Sequence, residues 1–433
     1  MFENILGQPV ISLLSSDING GTLAPSMLFS GPLASGKGSA ALELGRILSC
    51  EQSSAWNCSC PACTRHRQLV HRDILLLGPR NFSAEIAASA AAFLRDPSAQ
   101  AARFLFIRSV RKLLARFSPV LWEDEPKIAK LNPYIQSLDE DLDELNITDN
   151  EAIKKTVDGI LKNSFKLETE GIGDLIPVSQ IRRAAWWSRL APQGKRKLMV
   201  IENADHMRDE ARNSLLKILE EPPKTVTIVL ASAHPEALLP TILSRLRLYR
   251  FIARDKEVEA TVIRKIFRES RGHAGPIGVY LDSFLPVSGE TLYPLAALFA
   301  ASVAMGSVIA LKRSGAALND SLVSLGKYTA PIAEAAGLGR PLEDTKSLVS
   351  AVLEGAENFE LRSRFSQFLQ FLLTLIGESL NAGDTDAIAY RDIWRTAVRE
   401  AEIAVGTYNL NPALALDRLA LELRRSMVLL VQV

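Results

Sequence analysis

The chain has 433 residues, 47% of them apolar, which is enough for substantial cores in two or three domains. Its formal net charge is +1, which excludes a global field that would draw the whole chain to nucleic acid. We identify no apolar run of 18 residues and no charged-then-apolar leader, so we expect a soluble cytoplasmic protein without membrane contact.

The first candidate site is a glycine-rich loop that follows a short apolar run. The run 27–30 (MLFS) reads as a buried strand, the loop is GPLASGKG, and a helix is predicted to follow from Ser39. Backbone N–H groups at such a helix start attract phosphate oxygens. The loop departs from the usual pattern, because Gly38 stands where a serine or threonine normally ligates Mg²⁺. The candidate nucleotide-binding residues here are Gly31, Gly36, Lys37, Gly38 and Ser39; the alternative is an ordinary glycine turn.

All the cysteines of the chain lie in one short segment, CEQSSAWNCSCPAC. Four thiolates can enclose a tetrahedral zinc ion, and such a site is structural because it leaves no open position. The predicted ligands are Cys50, Cys58, Cys60 and Cys63. Unligated or redox thiols are the alternative. His66 and His71 are interpreted as packing or surface histidines.

The remaining predicted strands alternate with helices. They are 73–77, 197–201, 225–231 and 246–251, and together with the first strand they predict a parallel sheet with helices on both faces. The third strand ends in Glu202 and Asn203, where a nucleotide hydrolase carries an acidic pair that holds Mg²⁺ and polarises water. Asparagine cannot act as a carboxylate base. Asp205 is expected to cap or start the helix 209–221.

Several of these stretches together resemble a bacterial replicative clamp-loader subunit of the AAA+ class. The matching stretches are FENILGQ, LFSGPLASGKG, the four-cysteine insertion, NSLLKILEEPP and TILSRLRLYRF, roughly a third of the chain. Motor subunits of this family (gamma/tau) keep the hydroxyl in the loop and the acidic pair on the strand. The stator subunit, delta prime, loses both, and this chain with Gly38 and Asn203 is similar to the stator.

The resemblance implies a role in loading the sliding clamp of DNA polymerase III onto primed DNA, within a ring of gamma/tau and delta subunits. Arg245 matches the family's arginine finger, which acts on the nucleotide of a neighbouring subunit; the alternative is a surface arginine. The implied cofactors are a structural Zn²⁺ and ATP or ADP, with Mg²⁺ weak or absent. The chain is expected not to be an active ATPase by itself.

The family plan also implies a domain organisation. It places an AAA+ domain at 1–251 with a zinc module at 50–66, then a helical lid at 252–320 and a helical collar at 321–433. The stretch 84–174 is additional to that plan and is predicted to be a helical insertion within the AAA+ domain. The insertion is predicted to be a helical hairpin or small bundle with solvated charged faces. The alternatives are contact of its basic helix with DNA or with another replisome protein, and a steric or regulatory role. One ring of the pair Trp186–Trp187 is expected to face the core.

Two rival functions remain at this point. The first is a gamma/tau-type motor with its own ATPase activity, since Lys37 is retained and Glu202 is an acid. The second is a zinc-binding DNA-repair scaffold unrelated to clamps, which leaves NSLLKILEEPP unexplained.

Overall fold

The structure is a computed structural model, and it divides into two compact units. It describes residues 1–123, 125–145, 149–270, 275–285, 287–313, 319–335, 342, 344–359, 362–380, 385–406 and 410–430. The first unit is Met1–Phe284 and the second is Leu285–Val433. The contacts divide the chain after Phe284 and do not define a lid or a collar. The boundaries of the lid and the collar therefore remain a prediction.

A five-stranded parallel sheet forms the centre of unit 1. Its strands are β1 (Ser26–Ser30), β2 (Ile74–Leu77), β3 (Lys197–Glu202), β4 (Val226–Ser232) and β5 (Arg247–Arg250). They lie in the order β2-β3-β4-β1-β5 with every pairing parallel. The α/β class and the five strands predicted from the apolar runs are confirmed. β1 and β4 are buried along their whole length, as expected for strands covered on both faces.

The register brings the ends of the strands together at one edge. Ser30 pairs with Ser232, and Glu202 pairs with Ala231. The segments that follow β1, β2 and β3 therefore meet at this carboxyl edge. The glycine loop after β1 and the acid at the end of β3 are thereby brought together.

Helices cover both faces of the sheet. Those of unit 1 are α1 (Val10–Asn19), α2 (Lys37–Ser49), α3 (Pro61–Gln68), α4 (Ser83–Arg95), α5 (Gln100–Leu114), α6 (Pro119–Trp122), α7 (Ile128–Glu144), α8 (Asn150–Gly171), α9 (Val178–Arg189), α10 (Asp209–Glu220), α11 (Pro240–Leu243), α12 (Lys256–Ile266) and α13 (Ile277–Asp282). Asp205 does not cap α10, contrary to our expectation. It lies in a 3₁₀ turn, 204–206, and its carboxylate accepts a hydrogen bond of 2.5 Å from Ser232 Oγ, while Arg208 occupies the N-cap position.

The insertion is helical as predicted, but its basic side chains are not all solvated. Leu138, Leu142 and Leu145 are buried as their spacing predicted. On α5 and the turn after it, however, Lys112 and Arg116 are 6% and 3% exposed. Each forms an ion pair with a carboxylate, Lys112 with Glu85 and Arg116 with Glu202. The sequence pattern did not predict these ion pairs.

Unit 2 is built of helices in its described residues. They are α14 (Gly289–Arg313), α15 (Asn319–Ala335), α16 (Thr345–Gly355), α17 (Arg362–Ser379), α18 (Thr385–Gly406) and α19 (Pro412–Leu430). The apolar faces predicted for α17 and α19 are confirmed, since Phe368, Leu372, Leu416 and Leu423 are all fully buried. Two predicted helix ends, Arg271 and Val431, lie outside the described residues.

One helix of unit 2 is long and apolar enough to cross a membrane by length and composition. It spans Gly289–Lys312 with a mean hydropathy of 2.0, and 61% of its most apolar window is buried within the protein. Our sequence analysis overlooked this stretch. Because it packs at the centre of unit 2 against α15, α17 and α19, it has the character of a core helix.

Candidate functional site

The glycine loop between β1 and α2 has the backbone of a phosphate-binding loop. Gly31 and Gly36 have φ values of 150° and 94°, which side-chain-bearing residues rarely adopt. The ammonium of Lys37 turns back onto the loop, where it donates to the carbonyl oxygens of Gly31 (2.5 Å) and Pro32 (2.6 Å). Burial lowers the pKa of Lys37 to about 8, against the opposing effect of Glu202. The loop thus satisfies its own lysine without a phosphate.

Gly38 leaves room for the carboxylate of Glu202 in this arrangement. A Cβ atom at Gly38 would lie 2.3 Å from Oε1 of Glu202 and 3.4 Å from Nη1 of Arg80. A serine or threonine, the usual ligand of Mg²⁺ at this position, therefore does not fit unless Glu202 moves. Ser39, the next residue on α2, is half-buried.

Glu202 is held by two arginines. Arg80, which follows β2, donates to Oε1 of Glu202 at 3.0 Å, and Arg116, which follows α5, pairs with Oε2. The Glu202 side chain is 14% exposed. Burial raises its pKa, but Arg80 and Arg116 outweigh burial, and the net shift is downward. Both carboxylate oxygens that would hold a metal ion are thus engaged by guanidinium groups.

The ion pairs extend into a buried cluster. Arg80 also pairs with Glu85 on α4, and Glu85 pairs with Lys112 on α5. Three cations, Arg80, Lys112 and Arg116, therefore face the carboxylates of Glu85 and Glu202. We call these five residues the edge cluster. Its three cations outnumber its two carboxylates, so each acid is compensated within the cluster.

Asn203 has a structural role. Its backbone is left-handed, with φ of 47°, and its side-chain amide donates to the carbonyl of Pro79 at 2.8 Å. Asparagine tolerates this conformation better than most residues. The amide therefore fixes the segment that carries Arg80, and it offers no carboxylate to polarise water.

Arg245 lies apart from the edge cluster. It follows α11, is exposed, and donates to Glu220 Oε1 and to the Thr241 carbonyl, both at 2.8 Å. The structure thus brings the other predicted nucleotide-site residues together but leaves Arg245 on the surface. An exposed ion pair of this kind is weak, so it presents little obstacle to engagement by another molecule.

The four cysteines form a compact, buried cluster that can hold a metal ion. The ligand atoms of Cys50, Cys58, Cys60 and Cys63 all lie within 4.8 Å of one another. The Sγ atom of Cys50 is 3.6 Å from that of Cys58 and 4.0 Å from that of Cys60. Zn–S bonds of about 2.3 Å in a tetrahedron place sulfurs roughly 3.8 Å apart, so the spacing fits zinc.

Hydrogen-bond donors surround these sulfur atoms. The backbone N–H groups of Gln52 and Ser54 donate to Sγ of Cys50 at 3.4 and 3.2 Å, and Arg46 donates to Sγ of Cys63 at 3.1 Å. Burial raises the pKa of Cys50, but these backbone donors prevail and lower it to about 6. Donors of this kind stabilise thiolates and are the usual outer shell of a metal site.

Arg46 connects the cysteine cluster to the helix that begins at the glycine loop. It is 1% exposed, pairs with Glu43 at 2.6 Å, and donates to the Ser54 carbonyl. His66 and His71 stack at 4.2 Å between ring centroids, which confirms that they pack rather than join the cluster.

Arg80, Arg116, Glu85 and Lys112 escaped the sequence analysis. Arg80 carried a usable signal, because it follows a strand adjacent to β3 and must lie near the end of β3. The others lie on helices of the insertion, and their spacing matches that of ordinary solvated helices. The expectation for the tryptophan pair is confirmed, with Trp187 6% and Trp186 56% exposed.

Comparisons with known proteins identify a family and several similar proteins. The profile of the family described as DNA polymerase III, delta subunit, covers residues 7–129 and 138–255. The chain is 46% identical to DNA polymerase III subunit delta' of Bacillus subtilis over 59 residues, which are 14% of the chain and 18% of that protein. It is 42% identical to subunit delta' of Pseudomonas aeruginosa over 82 residues, 19% of the chain and 25% of that protein.

A gamma/tau subunit is also similar. Over 86 residues the chain is 30% identical to DNA polymerase III subunit gamma/tau of Mycobacterium tuberculosis, covering 20% of the chain and 14% of that protein. The matched segments thus span between about a seventh and a quarter of these relatives. A solved gamma subunit-related protein of Thermotoga maritima is 19% identical, with a TM-score of 0.29 over 59% of this chain and 81% of that one.

The family profile covers more than half of the chain, and it includes the glycine loop, the cysteine cluster and the edge cluster. The chain therefore belongs to the DNA polymerase III delta subunit family, the family of clamp-loader subunits that its sequence motifs resemble.

Proposed function

We propose that this chain is a stator-type subunit of the DNA polymerase III clamp loader, similar in role to delta prime. It would take its place in a ring with gamma/tau and delta subunits in the cytoplasm and help to place the sliding clamp on primed DNA. The observation that supports this most is the pairing of Glu202 with both Arg80 and Arg116. A site whose metal-holding acid is neutralised by the chain's own arginines is unsuited to hydrolysing ATP.

Three further features support the same proposal. Gly38 removes the second metal ligand, Asn203 removes the water-polarising acid, and Lys37 is satisfied by the loop itself. The loop at most holds ATP or ADP without a tightly bound Mg²⁺.

In this proposal, Arg245 is the residue through which the chain contributes to ATP hydrolysis. It is exposed at the end of a short helix and leaves Glu220 to approach the phosphates of a neighbouring subunit. An arginine supplied in trans stabilises charge on the transferred phosphoryl group and is worth about 10³–10⁵ in rate in well-studied systems.

The cysteine cluster would hold one structural zinc ion. When bound, zinc fixes the four cysteines as thiolates and supplies stability rather than reactivity. Arg46 would orient Cys63 and keep the metal module aligned with the helix of the glycine loop.

Reconstitution tests the proposed function. The purified chain is combined with gamma/tau and delta subunits, the clamp and primed DNA, and ATP hydrolysis by the complex is measured. We expect Arg245→Ala to slow ATP hydrolysis at least a hundredfold at the one nucleotide site that Arg245 would contact. The complex should still assemble. Arg250→Ala, an exposed arginine nearby, is the matched control and should have little effect. Equal turnover with Arg245→Ala and Arg250→Ala would contradict the role of Arg245.

The alternative is a gamma/tau-type motor. It is favoured by the retained Lys37 and by the similarity to gamma/tau subunits. It requires that Arg80 and Arg116 release Glu202 when Mg²⁺ and ATP arrive, and it predicts ATP turnover by the chain alone.

A further inference from the structure

A cavity lies at the amino edge of the sheet, the edge opposite to the glycine loop. It has a volume of about 460 Å³ and is bordered by the end of α2, by α3, and by the segments that lead into β2 and β3. The residues that precede two neighbouring parallel strands meet at the amino edge of a sheet. The cavity is therefore separate from the glycine loop and the edge cluster, which follow the strands.

Cationic side chains converge on this cavity from three parts of the chain. Arg65 comes from α3, Arg72 from the segment before β2, and Lys195 from the turn before β3. The carboxylate of Glu51 is the acidic group among the lining residues. Three cations against one acid give the cavity an excess of positive charge, although the chain as a whole is close to neutral.

Two of these cations, Arg65 and Arg72, are exposed at the cavity. Within the part of the chain that the structure describes, no hydrogen bond or ion pair engages either side chain. Other arginines of unit 1, including Arg46, Arg80 and Arg116, are paired with acids. Unpaired guanidinium groups brought together in a concave site are suited to bind an anion with several oxygen atoms.

The wall of the cavity is held in place by buried groups. The carboxylate of Asp73 accepts hydrogen bonds from the backbone N–H groups of Gln193 (3.0 Å) and Gly194 (2.6 Å). Lys195 donates to the carbonyl of Cys50 at 2.6 Å. Nδ1 of His71 accepts from the Asp73 N–H at 3.2 Å, so the neutral ring carries its hydrogen on Nε2, toward Gly194. These hydrogen bonds fix the backbone that borders the cavity.

We propose that this cavity binds phosphate groups, with Arg65 and Arg72 as the main contacts and Lys195 and His71 Nε2–H as additional donors. A phosphate presents several oxygen acceptors, and a guanidinium fork matches two of them at once. The phosphate comes either from the backbone of a nucleic acid strand or from a free phosphate compound. This inference does not depend on the stator function, because the residues that line the cavity include neither the nucleotide loop nor Arg245.

The test uses the full chain and two probes. A fluorescein-labelled dT12 oligonucleotide is titrated by anisotropy at low salt, and inorganic phosphate is added as a competitor against potassium chloride of equal ionic strength. We expect the double variant Arg65→Gln, Arg72→Gln to weaken binding at least about tenfold. The matched control is Arg264→Gln, Lys265→Gln, which removes two exposed charges from α12 and should change binding less than twofold. Melting curves of both variants confirm that they fold.

The two probes separate the sources of phosphate. If inorganic phosphate displaces the oligonucleotide more than chloride does, free phosphate is enough to occupy the cavity. If phosphate does not displace the oligonucleotide, the cavity binds the backbone of a nucleic acid strand. Both results support a phosphate-binding cavity. Absence of binding by either probe, or equal weakening in the two double variants, would overturn the proposal. Binding that survives in Arg65→Gln, Arg72→Gln would place the anion elsewhere and would also overturn it.

Discussion

Replacing Gly38 by alanine tests how tightly the edge cluster holds Glu202. The new Cβ would lie 2.3 Å from Oε1 of Glu202, so that oxygen must retreat by about 0.7 Å to reach even the shortest tolerated contact near 3.0 Å. A free glutamate would turn away at little cost. Here Arg80 and Arg116 fix both carboxylate oxygens, so the retreat weakens at least one charge-assisted hydrogen bond.

The size of the effect follows from two opposing contributions. A hydrogen bond to a charged group is worth about 1.5–3 kcal/mol, and replacing glycine by alanine inside a helix gains about 1 kcal/mol. We therefore expect Gly38→Ala to lower the free energy of unfolding of unit 1 by roughly 0.5–2 kcal/mol. Adding Glu202→Ala should remove the steric part of this loss, so the two substitutions should be non-additive.

Urea unfolding followed by tryptophan fluorescence measures this change. Of the five tryptophans, Trp394 alone lies in unit 2, so the signal reports mainly on unit 1. The control is Gly278→Ala on α13, where a Cβ meets nothing within 4 Å and a small gain in stability is expected. If Gly38→Ala were as stable as Gly278→Ala, Glu202 would be free to move and the argument for a fixed edge cluster would fail.

Three other predictions follow from buried polar groups. Glu168→Gln should lower the free energy of unfolding by about 1.5–3 kcal/mol, because this buried carboxylate accepts hydrogen bonds from the N–H groups of Phe82 (3.0 Å) and Ser83 (2.7 Å). The control is Glu170→Gln at an exposed position. Equal free energies of unfolding for the two variants would refute the role of Glu168. Between pH 8 and about 10.5, Lys37 binds fewer protons in the folded than in the unfolded chain, so its contribution makes the free energy of unfolding rise with pH. Urea unfolding at several pH values should show that Lys37→Met removes this part of the rise. An unchanged dependence of the free energy of unfolding on pH in Lys37→Met would contradict the prediction. The chain should carry one zinc ion by elemental analysis, and Cys63→Ser should lose it with a lower melting temperature; a metal-free chain of undiminished stability would exclude a structural zinc site.

The sequence predicted the sheet well because four of its strands, β1 to β4, are almost wholly buried, whereas β5 is largely exposed. Runs such as TVTIVLA contain no charged residue, and such runs are short and bounded by prolines or glycines. The cysteine cluster was equally predictable, because the metal ligands lie close together in sequence. Local patterns of this kind can be recognised in the sequence without knowledge of the tertiary structure.

The edge cluster was not predictable by the same means. Arg116 and Glu202 are far apart in sequence, and a basic helix in an insertion normally faces solvent. The contact arises because the turn after α5 returns to the sheet edge beside β2. Asp205 is a smaller example: the sequence favours a helix cap, but the hydroxyl of Ser232 on the neighbouring strand captures the carboxylate.

The most direct test of the central claim is ATP turnover by the purified chain alone, in Mg²⁺, with Lys37→Ala as the reference for a disabled loop. Our account predicts that the unmodified chain hydrolyses ATP no faster than Lys37→Ala, because Glu202 is held by Arg80 and Arg116 and no acid stands at Asn203. Turnover of the order of one ATP per second, abolished by Lys37→Ala, would contradict the account and identify the chain as a motor subunit.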